Sequence, residues 1–243
     1  PRPQSKVLWV RDFVRPDEDR PDRQEGVRAF GPEPLSVAGL AFVERPPDAL
    51  PVTGTDVVED DVSGHVIEGS SLGHPVRLRT AAIVGSESSA LVEQIDALPA
   101  DYVADVAVIV VGGNDVTHRI PVSVSAEHLR AAIVRLRARG IPVVVGTCPD
   151  LGALRPVPQP LRILGSQMSR QLAAAQAAVA DASGATAVSL RSAVGAKFFE
   201  QPDEMFGADR FHPSALGYRR TAEALLPVGV ASVEGRRGGT DAA

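Results

Sequence analysis

Residues 106–115 have the sequence VAVIVVGGND, in which an apolar run ends in two glycines, an asparagine and an aspartate. An uninterrupted apolar run of this length, rich in β-branched residues, is typical of a strand buried on both faces of a parallel sheet. The two glycines let a ligand approach the backbone directly after the strand. The segment therefore predicts a buried strand over 106–111 that brings Asn114 to the carboxyl edge of a sheet.

The amide of Asn114 has two interpretations at such an edge. It can donate a side-chain N–H to an oxyanion that develops during acyl transfer. Alternatively, Gly-Gly-Asn-Asp is only a tight turn, which residues of these types commonly form. A second block near the end of the chain favours the first interpretation.

The rest of the chain alternates similar apolar runs with segments of helical period. Three further strands are predicted, at residues 80–84, 142–146 and 186–190. Apolar residues at every third or fourth position predict one helix over 126–139, capped by Ser125, and a longer helix from Leu161 to a stop at Gly184. This alternation predicts an α/β fold, a three-layer α/β/α sandwich of the flavodoxin-like kind with a central parallel sheet.

The composition fits one globular domain. The chain has 243 residues, of which 44% are hydrophobic and 23% charged, enough for one sizeable core. Residues 1–26 are rich in charge and proline, which predicts a flexible arm. Residues 229–243 have a glycine- and arginine-rich end, which predicts a flexible tail. The domain itself is expected over 27–228.

Several classes of partner are not indicated. The net charge is -5 and the arginines are scattered among acids, so no nucleic acid is expected. No apolar run is long enough for a membrane-spanning segment. Cys148 is the only cysteine, which excludes an intramolecular disulfide and a thiolate cluster. His65 and His74 lack metal-ligand spacing, and no phosphate-binding loop is present, so no metal and no cofactor are expected.

Residues 51–71 do not fit the alternation. Acids cluster at 59–61, and neither the helical nor the strand period is sustained. A doubly wound fold should have its first helix about here, so the pattern leaves this segment unassigned.

The second block is the sequence DRFHPSALGY at residues 209–218, which is followed by an amphipathic helix through Leu226. An aspartate three residues before a histidine can accept the Nδ1 proton and turn Nε2 outward, as in the acid and base half of a hydrolytic triad. A surface histidine beside a capping acid is the alternative interpretation. The order of the two blocks along an α/β chain favours the triad, with Asp209 and His212 as partners.

Together these blocks resemble those of the SGNH (GDSL-type) hydrolase superfamily. Residues 111–115 are similar to the family's third block, residues 209–214 to its last, and Gly85 occupies the place of the single-glycine second block. The resemblance implies an esterase or lipase that acts on a small-molecule carboxylic ester through an acyl-enzyme, by hydrolysis or acyl transfer, without a cofactor. It further implies that His212 is the base, Asp209 its orienting partner, and Gly85 and Asn114 the oxyanion donors.

The first block of the family departs from its pattern. Counting back four residues from Gly39 in the segment GPEPLSVAG leads to Leu35, which cannot be a nucleophile, whereas Ser36 stands one position later. If residues 35–43 are themselves the first strand, the nucleophile falls near 43–45, where no serine stands. The remaining hydroxyl candidates are Ser63, Ser70 and Ser71.

Three functions therefore stay open. Ser36 or another hydroxyl serves an active esterase; the fold is catalytically disarmed and binds an acyl or glycan ligand; or both blocks are turns of an unrelated flavodoxin-like binding domain. His118 follows the Asn114 segment and is expected as a solvated loop histidine. Oligomeric state and localisation, secreted after leader removal or cytoplasmic, are not indicated by the sequence.

Overall fold

The structure is a computed structural model that describes residues 39–44, 57–60, 64–67, 76–83 and 85–240. Within these residues seven strands form one sheet: β1 (Gly39–Glu44), β2 (Val57–Asp60), β3 (Gly64–Ile67), β4 (Val76–Thr80), β5 (Val106–Val110), β6 (Val143–Gly146) and β7 (Thr186–Val188). The helices are α1 (Leu91–Asp96), α2 (Gly113–Thr117), α3 (Val122–Ala138), α4 (Leu161–Ala182), α5 (Ala196–Glu200), α6 (Pro202–Met205) and α7 (Ala215–Thr240).

The sheet has the order β2-β3-β4-β1-β5-β6-β7 and is mixed in direction. Strands β5, β6 and β7 are parallel neighbours, as their apolar runs predict. Strand β1 is antiparallel to both β4 and β5, and β2, β3 and β4 form an antiparallel meander. The parallel sheet is therefore confined to the half of the molecule that carries both sequence blocks.

Helices cover the parallel strands on both faces, which confirms the three-layer α/β/α class. Alternate residues of β5 point to opposite faces, as the pleat requires. Ala107 and Ile109 belong to a core shared with α1 and α3, whereas Val106 and Val108 pack with Leu225 of α7. Because both faces are buried, the β5 sequence is apolar throughout rather than alternating.

Several predicted boundaries differ from the observed ones; β7, for example, ends at Val188 rather than at Leu190. The strand predicted at 80–84 lies earlier, since β4 ends at Thr80. The helix predicted over 126–139 begins at Val122 instead, and Ser125 is buried inside its first turns rather than capping it. The physical reason is that the Ser125 hydroxyl donates to the Asp115 side chain at 2.7 Å, a tertiary contact that the local pattern does not contain.

Residues 51–71, which the sequence pattern left unassigned, include strands β2 and β3 where a helix was expected. Strands β2 and β3 pair antiparallel, with Val58 opposite Val66 and Glu59 opposite His65. Each strand has only four residues, too few for a period to be recognised in the sequence. These strands extend the sheet beyond the part that β-branched runs predict.

The last helix is longer than the sequence predicts. Helix α7 continues past Leu226 to Thr240, through residues that were expected to form a flexible tail from Gly229 onward. Val228 and Val233 pack against the same face of the sheet as Leu225, so apolar contacts continue after the glycine. Tertiary packing therefore sustains the helix past Gly229, as far as Val233.

Candidate active site

Asn114 lies directly beyond the carboxyl end of β5, at the first turn of α2. The preceding Gly112 has φ 123°, which L side chains rarely adopt, and a Cβ there would lie 2.9 Å from Leu172 and 3.0 Å from Nε2 of Gln176. Only glycine allows the chain to turn this closely against α4. The turn places the Asn114 amide at the edge of the sheet, as the sequence predicts.

Gln176, a residue of α4, fixes the same edge of the sheet. Its side chain is buried, its Nε2 donates to Val111 O at 2.9 Å, and its Oε1 accepts from Cys148 N at 2.7 Å. These two backbone groups follow β5 and β6, where the strand ladder has ended. One buried amide therefore satisfies both groups and ties the ends of the two strands together.

His212 lies at the same edge of the parallel strands, as the direction of α7 demonstrates. A side chain at Gly146, at the end of β6, would lie 3.3 Å from Leu225, whereas Ser232 lines a cavity with Val143 at the start of β6. Helix α7 thus runs from the carboxyl edge to the amino edge. At 1.5 Å per residue it begins about 15 Å before Leu225, beyond the carboxyl edge.

Asp209 and His212 form a pair in the loop before α7. The Asp209 carboxylate faces the His212 ring, with Oδ2 and Nδ1 2.5 Å apart, and its Oδ1 accepts the backbone N–H groups of Phe211 and His212 at 3.0 Å each. The Phe211 ring packs edge-on against the His212 ring, with centroids 5.1 Å apart. These contacts hold the imidazole by one side and leave Nε2 for another partner.

The electrostatics of this pair favour an ionised carboxylate. Partial burial raises the pKa of Asp209, but hydrogen bonds from the His212 ring and from two backbone N–H groups outweigh it and lower that pKa below its ordinary value. A carboxylate that stays charged is the form that orients a neighbouring imidazole and stabilises its protonated state.

Residues 85–88, which we call the Gly85 loop, lie between β4 and α1. Gly85 has φ 76°, the left-handed region that favours glycine, and a Cβ there would meet nothing within 4 Å. Asn114 Nδ2 donates to Ser86 O at 2.9 Å, and an amide nitrogen has a second N–H to offer. The Gly85 loop and the Asn114 amide are therefore neighbours, as an oxyanion site requires.

The sequence of the chain resembles a known protein family. A model of the GDSL-like Lipase/Acylhydrolase family matches residues 61–220. The chain belongs to this family. The resemblance drawn from the two blocks is thereby confirmed, and an unrelated flavodoxin-like binding domain is excluded. The match begins after residues 31–39, so it does not include the segment expected to correspond to the first block.

One relative and one solved structure are similar to this GDSL-like chain. A GDSL-like esterase of Mycobacterium tuberculosis is 39% identical over 201 residues, which are 81% of this chain and 59% of that protein. A solved structure of a GDSL-like lipase from Parabacteroides merdae superimposes with a TM-score of 0.53 at 17% identity, covering 62% of this chain and 71% of the other. The second likeness concerns the fold.

All four serines considered as nucleophiles lie outside the described residues, namely Ser36, Ser63, Ser70 and Ser71. The direction of β1 nevertheless excludes one alternative. Gly39 pairs with Val110 at the carboxyl end of β5, and Val43 pairs with Val106 at its amino end. A nucleophile near residues 43–45 would follow the strand at the edge opposite Asn114.

Sequence reasoning missed two polar contacts beside the site. Asp115 is completely buried and accepts hydrogen bonds from Ser88 and Ser125. His118, expected as a solvated histidine, is more than half exposed but pairs through Nδ1 with Glu87 Oε1 at 2.6 Å. Asp115 belongs to the segment 106–115, so the sequence could have indicated it as a site residue. Nothing in the local sequence around Ser88 and Ser125 indicates that they are its partners.

No group of three or more His, Cys, Asp or Glu side chains is arranged to hold a metal ion among residues 39–44, 57–60, 64–67, 76–83 and 85–240. Over the same residues, no helix has the length and apolar character needed to cross a membrane.

Proposed function

We propose that this GDSL-like chain is a serine esterase that cleaves small carboxylic esters through an acyl-enzyme, passing the acyl group to water or to another acceptor. The observation that carries the proposal is the Asp209–His212 pair, with its 2.5 Å contact, at the same sheet edge as Asn114. The mycobacterial relative, which is named as a GDSL-like esterase, supports it. Convergence of His212 and Asn114 on one cleft is part of the proposal.

The mechanism assigns one role to each group. His212 Nε2 removes the proton of a serine hydroxyl as that oxygen attacks the ester carbonyl carbon, while Asp209 holds Nδ1. The second N–H of Asn114 and the backbone N–H of Gly85 donate to the carbonyl oxygen as it becomes an oxyanion. The imidazolium then gives its proton to the departing alkoxide. Water, activated by the same imidazole, later releases the acid from the acyl-enzyme.

Ser36 is the nucleophile that we propose. It is three residues from Gly39, and chain geometry keeps its Cα within about 11 Å of the Gly39 Cα. Because Gly39 pairs with Val110 at the carboxyl end of β5, this reach includes the edge where Asn114 lies. The antiparallel direction of β1 thus supports a nucleophile that precedes the strand, unlike the family pattern in which it follows.

A catalytically disarmed protein that binds an acyl or glycan ligand is the second candidate. Two observations favour it: Leu35 stands at the position that the family spacing assigns to serine, and the family match begins only at residue 61. Such a protein would keep the His212 pair and the oxyanion donors without a group to attack the ester.

A covalent probe separates the two candidates. The wild-type chain is treated with an aryl organophosphonate, and the adduct is located by mass spectrometry. We expect one adduct, on the peptide that contains Ser36, and its loss in Ser36→Ala. His212→Ala should lower turnover of a short aryl ester by about 10²–10⁴-fold with little change in Tm, whereas His128→Ala, the same change on α3, should leave turnover intact.

The remaining outcomes decide against Ser36 in distinguishable ways. An adduct on Ser63, Ser70 or Ser71 would move the nucleophile and keep the esterase. No adduct and no turnover in wild type, with turnover gained in Leu35→Ser, would establish the disarmed form. Full turnover in His212→Ala would overturn the proposed mechanism.

A further inference from the structure

Two consecutive residues of α2 hold two alternate residues of the Gly85 loop. The Asn114 side chain donates to Ser86 O at 2.9 Å, and the Asp115 side chain accepts from Ser88 N at 3.1 Å. The first of these residues is already a proposed oxyanion donor. The second takes no part in the proposed mechanism, yet it belongs to α2, which supplies one donor, and contacts the Gly85 loop, which supplies the other.

The Asp115 carboxyl group joins three elements. It is completely buried, and it accepts from the backbone N–H and hydroxyl of Ser88 in the Gly85 loop and, at 2.7 Å, from the hydroxyl of Ser125 in α3. Across the described part of the chain, no Lys, Arg or His forms an ion pair with it. Burying a carboxyl group without a cationic partner costs free energy, and here only hydrogen bonds from neutral donors compensate that cost.

The Gly85 end of the loop has little packing of its own. Gly85 is exposed, and the space around its Cβ position is empty to 4 Å. Its backbone N–H can share an oxygen with the Asn114 amide only if the loop is fixed against α2. Oxyanion stabilisation needs donors held within fractions of an ångström of the developing charge. Contacts through Ser86 and Ser88 supply that fixation.

We propose that Asp115 is a positioning residue, which locks the Gly85 loop to α2 and α3 so that the Gly85 N–H and the Asn114 amide point to one oxygen. This inference rests on the proposed esterase function for its catalytic meaning. Its structural half, that Asp115 orders the Gly85 loop, is testable without any turnover.

The kinetic test compares Asp115→Ala with Asp115→Asn. The alanine variant should lower kcat by about 10²-fold, the cost of losing an oxyanion donor, with KM nearly unchanged. Affinity for an alkyl boronic acid, which mimics the tetrahedral oxyanion, should fall in parallel. The asparagine variant should recover most of kcat, because its amide oxygen can accept from Ser88 N–H while its NH₂ faces hydroxyls that can turn to accept.

A control variant separates positioning from general destabilisation. Leu136→Ala removes a fully buried side chain near the far end of α3, and it should cost about 2–5 kcal/mol of unfolding free energy. It should leave kcat and boronate affinity unchanged at temperatures where the variant is folded. Equal kinetic losses in Leu136→Ala and Asp115→Ala would overturn the positioning role, as would a loss expressed in KM alone or an asparagine variant no better than alanine.

Amide hydrogen exchange, followed by mass spectrometry on the full chain, tests whether Asp115 orders the Gly85 loop. Peptides that contain residues 85–88 should exchange at least about tenfold faster in Asp115→Ala, corresponding to the loss of roughly one net hydrogen bond, whereas peptides from β5 and β6 should not change. Unchanged exchange in 85–88 would overturn the proposal whether or not the wild type is active. If the wild type proved inactive and Asp115→Ala still exchanged faster at residues 85–88, the esterase function would be contradicted and the structural role of Asp115 would stand.

Discussion

The thiol of Cys148 lies behind the turn at Gly112, almost entirely excluded from solvent. Burial raises its pKa far above the ordinary thiol value, and the nearby carboxyl groups of Asp115 and Asp150 raise that pKa further. Since the thiolate is the reactive form, we expect Cys148 to be inert in the folded protein. It is a packing residue and offers the proposed esterase no alternative nucleophile.

The rate of alkylation measures the reactivity of the Cys148 thiol. Iodoacetamide at pH 8 should label Cys148 in native protein at least about 10²-fold more slowly than in urea-unfolded protein, because the thiolate fraction is so small in the folded state. Mass spectrometry of the single cysteine peptide follows both rates. Comparable rates in the two states would contradict the buried environment of the thiol.

The Asp209 carboxyl group should make a pH-dependent contribution to stability. Its pKa is lower in the folded protein than in the unfolded chain, so its contribution is present above the ordinary carboxyl pKa of about 3.9 and is lost as the pH falls through the lower folded value. We therefore expect wild type to exceed Asp209→Asn in unfolding free energy at pH 5–7, by a modest amount because the side chain is a third exposed.

Urea unfolding of both proteins over pH 3–7 checks the sign. The difference in unfolding free energy between wild type and Asp209→Asn should vanish only below the pH range in which an ordinary carboxyl group titrates. A difference that vanished already near neutral pH would contradict this contribution of Asp209.

At the scale of elements, the junction between β5 and α2 depends on glycine. Gly112→Ala combines a positive φ with a Cβ placed 2.9 Å from Leu172 and 3.1 Å from Cys148, so it should cost more than about 2 kcal/mol of unfolding free energy. Gly165→Ala, inside α4, is the matched control. Its Cβ meets only Leu151 at 3.8 Å, and it should be neutral or stabilising by about 0.5–1 kcal/mol.

Chemical denaturation of the two variants measures the contrast. If Gly112→Ala were as stable as wild type, the close packing of this turn against α4 would be wrong. If Gly165→Ala were strongly destabilised, the space beside that helix would be tighter than described.

The two sequence blocks succeeded as predictors of elements because their signals are local. A buried strand, a glycine turn and an aspartate three residues before a histidine can each be recognised without knowledge of the rest of the chain. Ser125 misled the prediction of α3 because a serine near a helix start normally caps it. Its hydroxyl is directed instead to Asp115, ten positions earlier in the chain.

Within the described sheet, β5 and β6 are strands that are enclosed on every side. Each has a strand on both sides and a helical layer on both faces, and Ile109 and Val145 are completely buried. Strand β7 ends the sheet order, and its first residue, Thr186, is exposed. We expect the amides of β5 and β6 to exchange most slowly of all described strands, with free energies of opening near the global value.

Hydrogen exchange of the wild-type chain at neutral pH, followed by peptide mass spectrometry, tests this ranking. Peptides from β7 serve as the internal comparison, since this strand shares the parallel ladder but pairs on one side only within the described residues. Exchange from β7 as slow as from β6 would indicate that another part of the chain covers this edge.

The sequence by itself carried the α/β class, the parallel strands β5 to β7, the family and the identity of the Asp209–His212 pair, because each depends on short-range pattern or on spacing within one block. Only the folded chain decided the direction of β1, the hairpin of β2 and β3, the extent of α7 and the role of Ser125. These depend on which segments meet across long separations in sequence. A hydrogen bond such as that between Ser88 and Asp115 joins residues 27 positions apart. Its donors become neighbours of the carboxyl group only when α2, α3 and the Gly85 loop are packed together.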